Sequence, residues 1–422
     1  MFAEIKKVTQ YLLTEKKYID LRKKILFTIL VFFVLILIDR FALPRLANQN
    51  EFYVSLARTR IVFQGNLSAY ENEVNRNSEN VKALGLTLGE IKQFNLPMYS
   101  LLFYLPYIYI PDFHWALALW LATNQLLCYF TFSLLLDIFK IKLEEKYKVA
   151  GALAILISYF ELLNILDTNL SMLQVFLLIA AFYKIVNKEY VFSGILFGLA
   201  TFNPFALFIP MAMFFVLNFQ KNRGVVNLWM AITVGLLSMA LVIFDMRWVL
   251  EMVKVWLLKA DFYPLISYRK YIAGIFPAID SNLVTLLPLI IFFWLVYEWL
   301  RNPKENSDQE FWLLSLAFTV NPLINMWDSF YATIGYMLVF VYTVSLWYER
   351  STSKFRIFIT VLYGLVLIIL PIIQMLVQKQ VLTSQDLYSY NLFVTLLLLF
   401  NLYWVRLWVM NPYYYINKLD EP

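Results

Sequence analysis

The 422-residue chain is short of the residues that usually carry metal and nucleophilic chemistry. It has one cysteine and one histidine, and its charged residues make up 15% of the total. A lone Cys128 excludes an intramolecular disulfide framework. With His114 as the single histidine, a His/Cys zinc site and a Ser-His-Asp triad both lack parts, and only a carboxylate-bound hard metal stays open. No metal and no cofactor is expected. No low-complexity linker divides the chain, and no internal repeat of ~20–50 residues is visible. The N-terminal MFAEIKKVTQYLLTEKKYIDLRKK lacks a small-residue cleavage site, so it reads as a cytosolic amphipathic segment over residues 1–24 and not as a signal peptide.

What the chain has is apolar surface. Hydrophobic residues reach 61% and aromatics 18%, more than a soluble domain can hide. In lipid each backbone N–H and C=O must be paired within its own segment or in a closed barrel. Continuous apolar runs choose helices over barrel strands. The expected fold is therefore an all-α integral membrane protein of about twelve transmembrane helices in one domain, 25–410, followed by a cytosolic tail, 411–422. The spans are placed near 25–43, 97–111, 114–139, 149–166, 169–186, 190–219, 226–245, 283–300, 311–324, 329–347, 356–376 and 387–410. Asn203-Pro204 and Pro210 mark 190–219 as a run that can break.

Lys6, Lys7, Lys16, Lys17, Arg22, Lys23 and Lys24 ahead of the first span argue for a cytosolic N-terminus. The net charge of +6 reflects this topology and implies no nucleic-acid partner. The span count puts 220–225, 301–310 and 348–355 in the cytosol, as the positive-inside rule asks, and His114 in a cytosolic turn. It puts 140–148, with Lys140, Lys142, Lys146 and Lys148, on the outer face, against that rule. Two large outer loops follow, 44–96 and 246–282. The second is aromatic and amphipathic, suited to lie in the headgroup plane.

An enzyme joining a lipid-borne substrate to a water-borne acceptor needs a carboxylate, cations for phosphate and aromatics at the interface. The first outer loop supplies Glu51-Phe52-Tyr53, Arg58, Arg60, Gly65 and Tyr70, then Pro97 opening the next run. The same residues also describe an interfacial helix with Arg58 and Arg60 among headgroups. Their order resembles glycosyltransferase family 87, the polyprenol-phosphate-mannose-dependent mannosyltransferases of the GT-C membrane fold. That family has Asp-Phe, a Tyr and small residues, Gly fourteen residues after the Asp, a nearby Tyr, and an aromatic-Pro step; Glu51-Phe52, Gly65, Tyr70 and Pro97 fit it. The likeness runs on through Pro106, Pro111, Ala116, Trp120 and Asn124, through Asp167-Thr168-Asn169-Leu170, and through Gly194 to Pro204. It ends in Asn321-Pro322-Leu323-Ile324-Asn325-Met326-Trp327-Asp328. Glu51 stands where the family has Asp, Asn203 where it has Lys, and Ser329 and Phe330 where it has His.

The resemblance implies inverting transfer of a sugar, mannose by family, from a polyprenyl-phosphate-linked donor to a hydroxyl of a glycan or glycolipid acceptor at the outer face, among membrane lipids. On that reading Glu51 is the base. Arg58, Arg60, Arg269 and Lys270 are the phosphate candidates. Tyr53, Trp327 and Asp328 are the further substrate-binding candidates. Asp39, beside Arg40 at the end of the first span, is the rival carboxylate, although adjacent charges at a helix end also serve as anchors. Glu161 lies inside a span, where an ionisable residue is a functional candidate by default. A transporter or lipid flippase, and a catalytically degenerate family member, are the alternative functions.

Overall fold

A computed structural model describes residues 16–41, 49–65, 69–70, 94, 96–166, 168–204, 206–258, 281–301, 307–324, 331–350, 353–366 and 384–410. Among them there is no strand. Among the described residues, three helices are long and apolar enough to cross a membrane, Phe113–Ile138, Gly224–Val242 and Leu392–Val409, and several apolar helices are shorter. These features make the chain an all-helical membrane protein.

The first helix, α1 (Lys16–Phe41), packs against α3 (Phe113–Ile138) and runs antiparallel to it. Two ion pairs fix the direction. At one end Arg40 lies 3.9 Å from Asp112, and at the other Lys24 lies 3.7 Å from Glu145. The described segments between α1 and α3 lie at the end of the bundle at which α1 finishes. They include α2 (Gln49–Gly65) and the run expected to be a span at 97–111. That run is a 3-10 helix, Met98–Tyr107, folded onto α2. At ~2.0 Å per residue its ten residues fall short of a ~30 Å hydrocarbon core. The expected span at 97–111 is replaced by a segment buried in protein, with Met98, Tyr99, Leu101, Tyr104 and Tyr107 in the core.

His114, in the first turn of α3, therefore lies at the end of the bundle where α1 finishes, and 140–148 lies at the end where α1 begins, opposite to each other and not as the span count placed them.

The rest of the bundle follows as α4 (Glu145–Leu156), α5 (Tyr159–Leu166), α6 (Ser171–Val186), α7 (Tyr190–Ala200), α8 (Phe208–Gln220), α9 (Gly224–Val242) and α10 (Trp248–Leu258). Then come α11 (Ser281–Leu300), α12 (Ser307–Ile324), a 3-10 turn at Tyr331–Gly335, α13 (Tyr336–Arg350), α14 (Ser353–Gly364) and α15 (Ser384–Met410). The run 190–219 is two helices, not one. Phe197 of α7 and Phe214 of α8 meet edge to face at 4.5 Å, which a continuous helix at ~1.5 Å per residue forbids.

Aromatic contacts tie one end together. Phe139 meets Phe311 at 5.2 Å and Tyr342 at 5.3 Å, and Phe182 meets Phe311 at 4.9 Å. Here Arg223 holds Glu310 with two hydrogen bonds of 3.0 and 3.1 Å, Lys221 approaches the same carboxylate at 3.3 Å, and Arg406 grips Glu298. Lys140, Lys142 and Lys188 stand exposed in the turns at helix ends. The bundle thus has a basic end and, opposite it, the end that gathers α2 and the 3-10 helix.

Candidate active site

At the second end, α2 enters the bundle through Phe52. Its ring is fully buried and stacks on Trp120 of α3 at 5.7 Å with 24° between planes. Tyr104, Tyr107 and Phe113 close around it at 5.9, 5.9 and 6.0 Å. Beneath this cluster lies the α5–α6 turn. The Thr168 hydroxyl accepts the Phe52 N–H at 3.2 Å, and the Thr168 carbonyl accepts the Trp120 indole N–H at 2.9 Å. Three residues far apart in the chain, Phe52, Trp120 and Thr168, so meet at one place.

Further pieces join through the α7–α8 turn. Tyr99 of the 3-10 helix bonds the Thr201 hydroxyl at 2.8 Å and packs edge-on to Trp248. Gln174 donates to the carbonyls of Ala200 and Asn203. Asn321 donates to the Ala206 carbonyl at 2.8 Å and accepts the Ile209 N–H. Asn203, where the resemblance led to an expected Lys, thus sits in a turn fastened by amide side chains.

The candidate residues separate on this frame. Glu51 belongs to the first turn of α2, and its side chain lies outside the described residues, as do Arg269, Lys270, Trp327 and Asp328. Tyr53 packs edge to face on Phe113 at 4.9 Å. Burial raises its hydroxyl pKa, against an opposing pull from Arg60. Arg60 donates to the Ile110 carbonyl at 3.0 Å, which sets it beside the 110–115 turn. Arg58 is buried. It donates to the Ala69 carbonyl at 3.1 Å, lies 5.3 Å over the Phe94 ring, and is pushed down to about 10 by burial, opposed by Tyr70. An arginine at that value keeps its charge at neutral pH.

Asp39 is buried at the α1–α3 contact and accepts a hydrogen bond from Gln125 at 2.9 Å; its second oxygen has no hydrogen-bond partner among the described residues. Glu161, on α5, is buried, and neither of its oxygens has one there. Asp112 caps α3 by accepting the N–H groups of His114 at 2.7 Å and Trp115 at 3.2 Å. Those bonds, led by that of Trp115, and nearby Arg40 hold its carboxyl below the usual range.

Sequence reasoning missed Asp245. It sits between α9 and α10, accepts the Arg247 N–H at 2.9 Å, and is near enough to Tyr70 to act on its phenol. Tyr70 is raised well above its ordinary value, first by burial and then by Asp245 and Tyr99, with Arg58 opposing. The only signal was position, one residue ahead of the second outer loop.

A model of glycosyltransferase family 87 matches residues 94–323, more than half of the chain. The chain belongs to glycosyltransferase family 87. No curated protein and no solved structure matches it. The family match takes in Trp120, Thr168, Asn203 and Asn321, the residues that organise this end of the bundle. It begins after α2, so Glu51, Arg58 and Arg60 stand outside it, and it ends before Trp327.

Proposed function

We propose that this family 87 glycosyltransferase moves a sugar, mannose by family likeness, from a polyprenyl phosphate to an acceptor hydroxyl at the outer membrane face. The observation that carries the reading is the seating of the first turn of α2 on Trp120 and Thr168, which puts the backbone of Glu51 over the motif residues of a glycosyltransferase. The N-terminus is cytosolic in this reading. The basic end of the bundle then faces the cytosol, with Lys140, Lys142, Lys188, Lys221 and Arg223 where the positive-inside rule wants them.

The reaction is an in-line displacement at the anomeric carbon. The acceptor oxygen forms the new bond, the bond to the phosphate oxygen breaks, and polyprenyl phosphate leaves with the electron pair. Glu51 takes the hydroxyl proton. A free carboxylate with a pKa of ~4.3 is too weak to deprotonate a sugar hydroxyl in advance, so transfer of the proton is concerted with bond formation. Arg60 serves the leaving phosphate from α2, and Arg269 and Lys270 serve it from the second outer loop. Tyr53, Trp327 and Asp328 line the sugar. Arg58 is committed to the fold.

Labelled mannose on polyprenyl phosphate, offered to vesicles holding the protein with native membrane extract as the acceptor source, tests this. Glu51→Gln keeps the size and loses the proton acceptor, so transfer should fall by ~10²–10⁴ while donor binding persists. Glu51→Asp should keep part of the activity. Wild-type transfer by Glu51→Gln would refute the base assignment.

A further inference from the structure

Among the described residues, four non-glycine residues take a positive φ: Lys140, Thr168, Lys188 and Asn222. All four follow the end of a helix, where a left-handed residue terminates the turn and Gly or Asn is the usual choice. Lys140, Lys188 and Asn222 are exposed there. Thr168 is different. It is fully buried and β-branched, at φ 58°, a conformation such residues rarely keep unless their surroundings over-determine it.

Ending α5 needs nothing that a glycine would not supply at lower cost. What threonine adds is a hydroxyl. That hydroxyl accepts the N–H of Phe52 at 3.2 Å, at the edge of the turn where α2 is short of helical acceptors. The carbonyl of the same residue accepts Trp120 at 2.9 Å, and Phe52 and Trp120 stack on each other. One strained residue therefore grips both members of the pair that joins α2 to α3.

We propose that Thr168 is a positioning residue for sugar transfer: its hydroxyl sets the first turn of α2, and with it Glu51, relative to α3. This rests on the reading of Glu51 as the base. Thr168 touches neither sugar nor phosphate in this scheme. It acts through the backbone of Phe52, and small misplacements of a reacting group are expensive in rate.

Three variants in the full-length protein separate the hydroxyl from the strain. Thr168→Ser keeps the hydroxyl. Thr168→Gly relieves the backbone and loses the hydroxyl. Thr168→Val keeps the shape and loses the hydroxyl. Transfer of labelled mannose from polyprenyl phosphate should remain within about threefold of wild type for Ser, and kcat should fall ~10–100-fold for Gly and Val with the donor KM little changed. Hydrogen exchange supplies a readout independent of activity. The Phe52 amide should exchange faster in the Gly and Val variants and stay protected in Ser. Wild-type kcat in Thr168→Gly, a loss in Ser as deep as that in Val, or an unchanged Phe52 amide would each overturn the proposal. If Glu51→Gln proves active while Thr168→Gly still slows transfer and frees the Phe52 amide, the clamp on α2 stands and the base assignment falls.

Discussion

Arg40 and Asp112 lie 3.9 Å apart, so the third helix of the chain begins where the first one ends. The 3-10 helix before Asp112 is bound to that same end by Arg60, which donates to Ile110. The relationship predicts a labelling pattern. In a Cys128→Ser background, single cysteines at Tyr109 or His114, both exposed, should react with a membrane-impermeant maleimide from one side, and a cysteine at exposed Lys142 from the other. Labelling of His114→Cys and Lys142→Cys from the same side would contradict this arrangement.

How far the fold could be read from sequence is clearest at this point. Hydropathy found the apolar run at 97–111 but not what surrounds it. A tyrosine-rich segment buried among aromatics looks the same to a hydropathy window as one buried in lipid. The four lysines of 140–148 stood against the topology but did not outweigh the run. Likewise Asn203-Pro204 marked a break in 190–219 without saying that the chain turns back. The candidate site was legible as an order of motifs. Its assembly was not, because Thr168 and Trp120 meet α2 through a hydroxyl-to-backbone bond and a ring stack between residues far apart in the chain, which no local residue pattern encodes. Arg58 and Arg60 are two apart in sequence, yet helical spacing turns them to different surroundings, the Ala69 carbonyl for one and the Ile110 carbonyl for the other.

Arg58 predicts a stability defect without a binding defect. Its guanidinium fastens α2 to the Ala69 carbonyl and covers Phe94, so Arg58→Ala should lose ~2–3 kcal/mol, the cost of breaking a charged, buried hydrogen bond. Thermal melting in detergent should record it, with the donor KM of the surviving folded enzyme near wild type. Arg60→Ala should raise the donor KM. Equal KM effects from both would return Arg58 to the phosphate.

Asp39 predicts tolerance of a neutral acceptor. An asparagine there still presents an oxygen to Gln125, whose donation at 2.9 Å is the hydrogen bond Asp39 accepts at the α1–α3 contact. Asp39→Asn should keep transfer within about threefold, far from the ~10²-fold or greater loss of a general base. A loss on that scale in Asp39→Asn, with Glu51→Gln active, would move the base to Asp39.

Glu310 predicts coupling at the basic end. Its buried carboxylate holds Arg223 in a two-bond fork, with Lys221 beside it. Glu310→Gln leaves two cations without their anion and should cost ~3 kcal/mol or more. Adding Arg223→Met should restore part of that loss, since the pair shares one interaction. Purely additive melting shifts would show that the fork contributes nothing beyond its separate members.

Gly194 and Gly198, one helical turn apart on α7, face α9, and the small-residue spacing lets the two backbones close up as in lipid-embedded helix pairs. A Cβ on Gly194 would stand 2.5 Å from the Val226 carbonyl oxygen and 2.6 Å from the Trp229 Cβ. On Gly198 it would stand 2.7 Å from the Thr233 Cβ. Backbone cannot swing aside as a flexible side chain can, so Gly194→Ala must push α7 off α9 and should cost ~1–3 kcal/mol, the range for overpacking. Gly235 is also helical, in α9, but has nothing within 4 Å of its would-be Cβ. There the gain in helix propensity acts alone, and Gly235→Ala should be neutral or stabilising by up to ~1 kcal/mol. The two substitutions add the same methyl group to the same helix pair, so opposite shifts in melting temperature isolate the close approach as the cause. A Gly194→Ala protein as stable as Gly235→Ala would mean that α7 and α9 do not pack through this face.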